Sequence, residues 1–87
     1  MARFELVVRR SVSKDLRALP SRDVRRLLAR MEALADNPRP PGAQKLAGQE
    51  RYRIRQGVYR ILYEIRDQEL IVVVVKVGHR RQVYRSS

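Results

Sequence analysis

The 87-residue chain has no cysteine, no tryptophan and one histidine, His79. Without cysteine there is no disulfide framework, no thiolate nucleophile and no thiolate metal site. One histidine is too few for a histidine metal cluster. The longest apolar run, Leu70 to Val75, is six residues, whereas a membrane-spanning helix needs about 20. Met1 to Leu6 shows neither a long apolar run nor a small-residue cleavage site, so no signal peptide is read there. The expectation is a soluble, cytoplasmic protein with no metal, no cofactor and no membrane contact. A chain of this length makes one domain, residues 1–87, because domains rarely fall below about 50 residues. It buries only about 60–65% of its unfolded surface, too little for an elaborate internal cavity.

Acid is scarce as well. Nine Asp and Glu stand against 20 Lys and Arg, a formal charge of +11. Lysine is scarcer still: only Lys14, Lys45 and Lys76, the other 17 cations being Arg. Hydrophobic residues make up 44% of the chain, enough to support a core despite this charge. A field of this sign speeds association with polyanions and makes that binding salt-dependent. The partners that fit are RNA, DNA, an RNA-rich particle such as the ribosome, or an acidic protein. A guanidinium grips phosphate through a bidentate fork, stacks on bases and stays charged when partly buried. The competing explanation is compositional bias, which would spread Arg evenly. The halves are indeed similar, +5 over 1–43 and +6 over 44–87, but Arg51 to Arg60 holds four Arg and no acid. Lys76 to Arg85 holds four cations and no acid.

Phe4, Leu6 and Val8 alternate with Arg3, Glu5 and Val7, which predicts a short strand. Ser11 or Ser13 can cap a short helix whose inner side is Val12, Leu16 and Leu19 and which ends at Pro20. Ser21 is a second candidate cap, with Asp23 in the first turn where the helix dipole favours an acid. Val24, Leu27, Leu28, Met31, Leu34 and Ala35 predict an amphipathic helix of about 15 residues, with Arg22, Arg25, Arg26 and Arg30 outward. Asn37, Pro38, Pro40, Pro41 and Gly42 end it. The second half reads as β: Arg51 to Gln56, Tyr59 to Ile65, and Leu70 to Val77. The last is apolar on both faces and so central. Gly57-Val58 suits a two-residue type II′ hairpin turn, and Gly78 a bend or bulge. The expected fold is α+β: an N-terminal strand and a two-helix hairpin packed on a mainly antiparallel sheet of about four strands.

A two-residue turn at 57–58 pairs Arg55 with Arg60, Arg53 with Leu62, Ile54 with Ile61 and Tyr52 with Tyr63. Side chains alternate with period two. Arg53, Arg55 and Arg60 then share one face, while the Tyr and Ile pairs share the other, under the helices. Like charges directly opposite on a sheet are destabilising by up to about 1 kcal/mol. Their convergence makes sense if a polyanion sits between them; the plain alternative is long side chains splayed into water. His79 and Tyr84 follow with Arg80, Arg81 and Arg85. A lone histidine is more often structural than catalytic, and Tyr84 can stack on a base or pack at the sheet edge.

Tyr52-Arg53-Ile54-Arg55, then Gly57-Val58-Tyr59-Arg60-Ile61-Leu62-Tyr63-Glu64-Ile65, then Val77-Gly78-His79-Arg80-Arg81-Gln82-Val83-Tyr84-Arg85, with Lys45-Leu46 and Gly48 leading in, resembles the RelE branch of the RelE/ParE toxins. The resemblance implies a toxin of a type II toxin–antitoxin system. It implies a metal-free, ribosome-dependent endoribonuclease that cleaves mRNA codons in the A site by attack of a ribose 2′-hydroxyl on the adjacent phosphate. Arg53 and Arg55 match positions that are often Lys in the family. Arg60 matches the residue that grips the scissile phosphate. Arg80 matches one that protonates the leaving group or stabilises charge, and Tyr84 one that stacks on or activates the nucleotide.

Arg in place of Lys leaves the general base open, because a guanidinium is a poor proton acceptor: His79 or Tyr84 could substitute, or the ribosome could position the 2′-hydroxyl so that a weak base suffices. Arg22, Arg25, Arg26, Arg30, Lys45, Arg51, Arg81 and Arg85 are expected on the RNA and ribosome surface. The implied partners are a cognate antitoxin, in a hetero-oligomer, and the ribosome with its mRNA. With Ser87 three residues after Tyr84, the antitoxin is expected to cover the Arg face or block ribosome entry rather than displace a C-terminal helix. Two other readings stand beside this one: a ParE-like DNA gyrase inhibitor, and an inactive relative that binds antitoxin or nucleic acid.

Overall fold

The computed structural model describes residues 3–48 and 50–79. A strand β1 (Glu5–Val8) leads into α1 (Arg10–Leu16) and α2 (Ser21–Asp36). Four further strands follow: β2 (Gln44–Lys45), β3 (Arg51–Gln56), β4 (Tyr59–Arg66) and β5 (Ile71–His79). The sheet order is β1-β5-β4-β3-β2, with β1 parallel to β5 and every other pairing antiparallel. The sheet therefore has five strands, not four. The added one is β2, whose two residues carry no period to read. As its two-sided apolar run required, β5 lies between β1 and β4.

Both helices pack on one face of the sheet. Val12 and Leu16 of α1 and Leu27, Met31 and Leu34 of α2 meet Ile54, Ile61, Tyr63, Val72, Val74 and Val77 in the main core. The helix starts differ from expectation by a residue or more. Arg9, not a serine, occupies the N-cap of α1, and its carbonyl accepts from the Val12 and Ser13 amides. Its own amide is tied to the Val74 carbonyl at 3.2 Å, so the chain enters α1 straight off the sheet and the serines fall inside the helix. Pro20 is the N-cap of α2, which makes Ser21 the first helical residue. Pro20 holds φ at −59° with ψ at 143°, an extended entry that needs no side-chain cap. Asp23 does lie in the first turn.

The hairpin register is as computed from the sequence: Gln56 pairs with Tyr59, Arg55 with Arg60, Arg53 with Leu62 and Tyr52 with Tyr63. Gly57 has φ +61°, while Val58 stays at negative φ, the sign pattern of a type II′ turn. The expected irregularity at Gly78 sits three residues earlier. Leu62 pairs with Lys76 and Tyr63 with Val74, so Val75 is the extra residue of a β-bulge and the strand runs straight through Gly78.

The loop from α2 to β2 is anchored at several points. The Ala43 amide bonds to the Pro40 carbonyl across Pro41 and Gly42, with Gly42 at φ +94°. That is a type II turn, which wants proline at its second position and glycine at its third. The Tyr63 hydroxyl donates to the Pro38 carbonyl at 2.7 Å. Arg39 grips Asp67 through two bonds of 3.0 and 2.9 Å. Its Nε donates to the Tyr52 hydroxyl at 3.2 Å, and its guanidinium lies 5.3 Å from that ring's centre.

Candidate active site

The sheet face opposite the helices carries the arginines. Arg51, Arg53 and Arg55 project from β3, and Arg60, Leu62 and Glu64 from β4, by strand alternation. At one end of this face Glu64 gathers Arg51 at 3.3 Å, Arg66 at 3.6 Å and Arg9 at 3.9 Å. Its middle is apolar, with Leu62, Val73 and Val75 buried beside Leu46 and Ile71. At the other end a cleft of about 420 Å³ opens between Gly42, Gln44, Arg53, Arg55 and Arg60.

Arg60 is the centre of that cleft. It is only 6% exposed, the one buried charged residue among those described. Its Nη1 donates to its neighbour's carbonyl, Tyr59 O, at 3.4 Å, and no carboxylate among the described residues pairs with it. Its cross-strand neighbours are another cation, Arg55, and Gly78, which places no side chain there. Burying a charge without a counter-charge is costly. The fold bears that cost at the point where two more guanidiniums line the same space. Arg55 is exposed, and Arg53 is half-buried with its Nη2 donating to Gln44 Oε1 at 2.6 Å.

The structure brings together Arg53, Arg55 and Arg60 as expected. It does not bring His79 to them. His79 pairs with Tyr59, on the helix-side phase of the strands. It lines a different and larger cleft, about 820 Å³, with Lys14, Asp15, Leu19, Tyr59 and Lys76. That cleft is bigger but mixes acid with base, so it lacks the single-signed charge a phosphate needs. The Arg cleft is therefore the candidate site. Arg80, Arg81, Tyr84 and Arg85 lie outside the described residues.

Of the expected surface residues, Arg22, Arg25 and Arg26 are exposed on α2, in the layer behind the sheet from the cleft. Arg30 is not outward: it is half-buried, and its Nε is enclosed without a hydrogen-bond partner among the described residues. It follows Leu27 by three and precedes Leu34 by four, which puts it on the margin of the apolar stripe. Lys45 pairs with Tyr52 and so projects away from the cleft, near Glu50 at 4.0 Å. Arg51 shares the cleft face, but Glu64 holds it. Sequence reasoning missed Gln44. A two-residue strand offers no alternation; the only hint was the Pro41-Gly42 turn that aims it.

Two tyrosines brace the site from behind. The Tyr59 hydroxyl donates to Asp23 Oδ2 at 2.7 Å, tying the hairpin to α2. That bond, with burial, raises the Tyr59 phenol above its ordinary value. Tyr63 stacks on Tyr52 with centroids 5.8 Å apart and planes at 25°. Among the described residues no group of three or more His, Asp or Glu side chains stands together to hold a metal ion. Nor is any described helix long and apolar enough to cross a membrane.

A family model described as the ParE toxin of the type II toxin–antitoxin system, parDE, matches residues 6–84. A candidate toxin RelE1 of Methanocaldococcus jannaschii is 27% identical over 88 residues, covering 97% of this chain and 98% of that one. The fold matches the toxin–antitoxin complex RelBE2 of Mycobacterium tuberculosis with a TM-score of 0.81 at 26% identity, over 91% of this chain and 100% of that one. The archaeal RelE–RelB complex of Pyrococcus horikoshii matches equally, with a TM-score of 0.81 at 27% identity, over 91% and 97%.

Proposed function

Because the chain belongs to the ParE toxin family of type II toxin–antitoxin systems, we propose that it is the toxin of such a pair and works as a RelE-type, ribosome-dependent mRNA endonuclease. The observation that carries this reading is the buried Arg60 facing Arg53 and Arg55 across one cleft. In the reaction a ribose 2′-hydroxyl attacks the adjacent phosphorus and the bond to the 5′-oxygen breaks. The products are a 2′,3′-cyclic phosphate and a 5′-hydroxyl. Negative charge builds on the phosphorane oxygens, and guanidiniums already in place stabilise it without reorganising. Arg60 grips the scissile phosphate while Arg53 and Arg55 flank it. Arg80 and Tyr84 keep the leaving-group and nucleotide roles assigned to them by resemblance. No guanidinium serves as a base, so the ribosome's alignment of the 2′-hydroxyl carries much of the rate.

The partner is an antitoxin whose acidic segment covers the Arg face, since the related solved structures include RelE bound to RelB. The site of action is the cytoplasm, where translating ribosomes are found. The gyrase-inhibitor reading is favoured by the family description alone, and a gyrase inhibitor has no need of three convergent guanidiniums.

Purified ribosomes programmed with a short message test the proposal. Cleavage inside the A-site codon, lost in Arg60→Ala, is expected. Intact message together with inhibited supercoiling by gyrase would establish the ParE-like activity instead. Intact message with unaffected gyrase and harmless induced expression would mark an inactive relative.

A further inference from the structure

Gly78 pairs with Arg60 across the β4–β5 ladder, and we infer that it governs access: its missing side chain is the opening through which an RNA phosphate reaches the Arg60 guanidinium. This rests on the nuclease reading above. Cross-strand partners point to the same face, with Cβ positions about 4.5–5.5 Å apart. A side chain at 78 would therefore stand directly beside that of Arg60. Of the two cross-strand neighbours of Arg60, Arg55 carries a long side chain and Gly78 none.

Nothing in the backbone asks for glycine here. Gly42, Gly48 and Gly57 are at positive φ, and Gly78 is not among them. It sits inside β5, in ladder register with β4. Extended backbone accepts any residue, and glycine weakens a strand because it packs nothing and loses more conformational freedom on folding. Glycine inside a strand marks a bulge, a bend, or the close approach of a ligand or another backbone. The bulge of this strand lies three residues earlier, at Val75, and the strand runs straight through 78. Close approach is the remaining reason.

Arg60 needs such an opening. It is 6% exposed, and its Nη1 reaches back to the Tyr59 carbonyl at 3.4 Å, so the side chain lies low against the sheet. Its charge meets no carboxylate among the described residues. The pair also joins the two larger clefts: Arg60 lines the one of about 420 Å³ and Gly78 the one of about 820 Å³. An extended chain crossing the bare backbone at 78 passes from one to the other. On the far side it meets Lys76, which pairs with Leu62 on the face of Arg60 and forms no ion pair among the described residues.

The test compares Gly78→Ala and Gly78→Val with wild type. The first readout needs no cleavage: binding of a 2′-O-methyl RNA tetranucleotide at fixed salt. Gly78→Val is expected to weaken binding about 10-fold or more, the loss of one charge-assisted hydrogen bond, and Gly78→Ala to weaken it less. Both variants should unfold at or above the wild-type midpoint, since either residue suits extended backbone better than glycine. In the Arg60→Met background Gly78→Val is expected to have no further effect, because the opening leads to Arg60. Cleavage on programmed ribosomes should fall in the same order, wild type, Gly78→Ala, Gly78→Val.

Wild-type RNA affinity in Gly78→Val would overturn the inference. So would equal weakening with and without Arg60. A lowered unfolding midpoint in both variants would overturn it too, because the bare position would then serve to seat the Arg60 side chain itself. A wild-type protein that leaves message intact, yet binds the tetranucleotide and loses that binding in Gly78→Val only while Arg60 is present, supports the role of Gly78 and overturns the nuclease reading.

Discussion

The Tyr63 hydroxyl, on a side chain with no exposed surface, donates a 2.7 Å hydrogen bond to the Pro38 carbonyl 25 residues earlier. This bond fastens the loop after α2 to the middle strand of the sheet. Tyr52 stacks on the same ring, and Arg39 covers Tyr52, so the loop is held from two sides. Tyr63→Phe leaves the buried carbonyl without its donor, which costs about 1–3 kcal/mol. A urea titration at neutral pH should show the midpoint fall by a corresponding amount.

The same residue predicts an alkaline limit. Burial pushes the Tyr63 phenol up from 10.0 to about 12. A group whose value is raised on folding contributes stability that is fully present below its unfolded value and is lost as pH rises through its folded one. The wild type should therefore lose stability between about pH 10 and pH 12. Tyr63→Phe should lose less over that window, as read from chemical denaturation at each pH.

Arg60 separates stability from activity. Its guanidinium is desolvated without a described counter-charge, and replacing such a group by an apolar one of similar length is often neutral or stabilising. Arg60→Met is expected to unfold at the wild-type urea midpoint or above it. The same variant should cleave ribosome-bound message at least about 100-fold more slowly, since a charge-stabilising donor is gone. A marked loss of stability would mean that Arg60 has a counter-charge in the free protein.

Gly57 sets the face on which Arg60 emerges. A Cβ there would meet nothing within 4 Å, so Gly57→Ala tests conformation alone, at φ +61°. The strain is about 1–2 kcal/mol. Differential scanning calorimetry should register it as a lowered midpoint, with cleavage per folded molecule unchanged.

Asp67 governs part of the acid response. The Arg39 guanidinium, through its paired hydrogen bonds, holds the Asp67 carboxyl below its ordinary 3.8. A lowered carboxyl contributes stability present above the unfolded value and lost as pH falls through the folded one. Asp67→Asn should be somewhat less stable than wild type at neutral pH. The gap should narrow as pH drops below about 3.8, checked by acid titration of the circular dichroism signal.

Much of this was legible in the sequence because strand alternation and a two-residue turn are strict geometry. Gly57-Val58 sufficed to place Arg55 opposite Arg60 and Tyr52 opposite Tyr63. The burial of Arg60 was not legible. It depends on Arg55 and Gly78 flanking it, and the pairing with Gly78 follows from the displaced bulge at Val75. Nor was Arg39, whose partners Asp67 and Tyr52 lie 28 and 13 residues away. Such contacts leave no periodic trace. The helix caps were misread because Arg9 and Pro20 satisfy by backbone path what serines offer by side chain.

The extra residue at Val75 acts as a phase shift. On its upstream side, Val72 and Val74 point to the helices; on its downstream side, Val77 does. Iron the bulge flat with every residue kept and that parity inverts: Lys76 would face Ile61 in the core, Val77 would face Arg60, and Gly78 would turn inward opposite Tyr59. The open floor beside the buried guanidinium is thus written by a count, odd rather than even. A deletion of Val75 alone would remove the extra residue and leave Gly78 opposite Arg60, since the pairs on either side of it would then follow one another in an unbroken ladder.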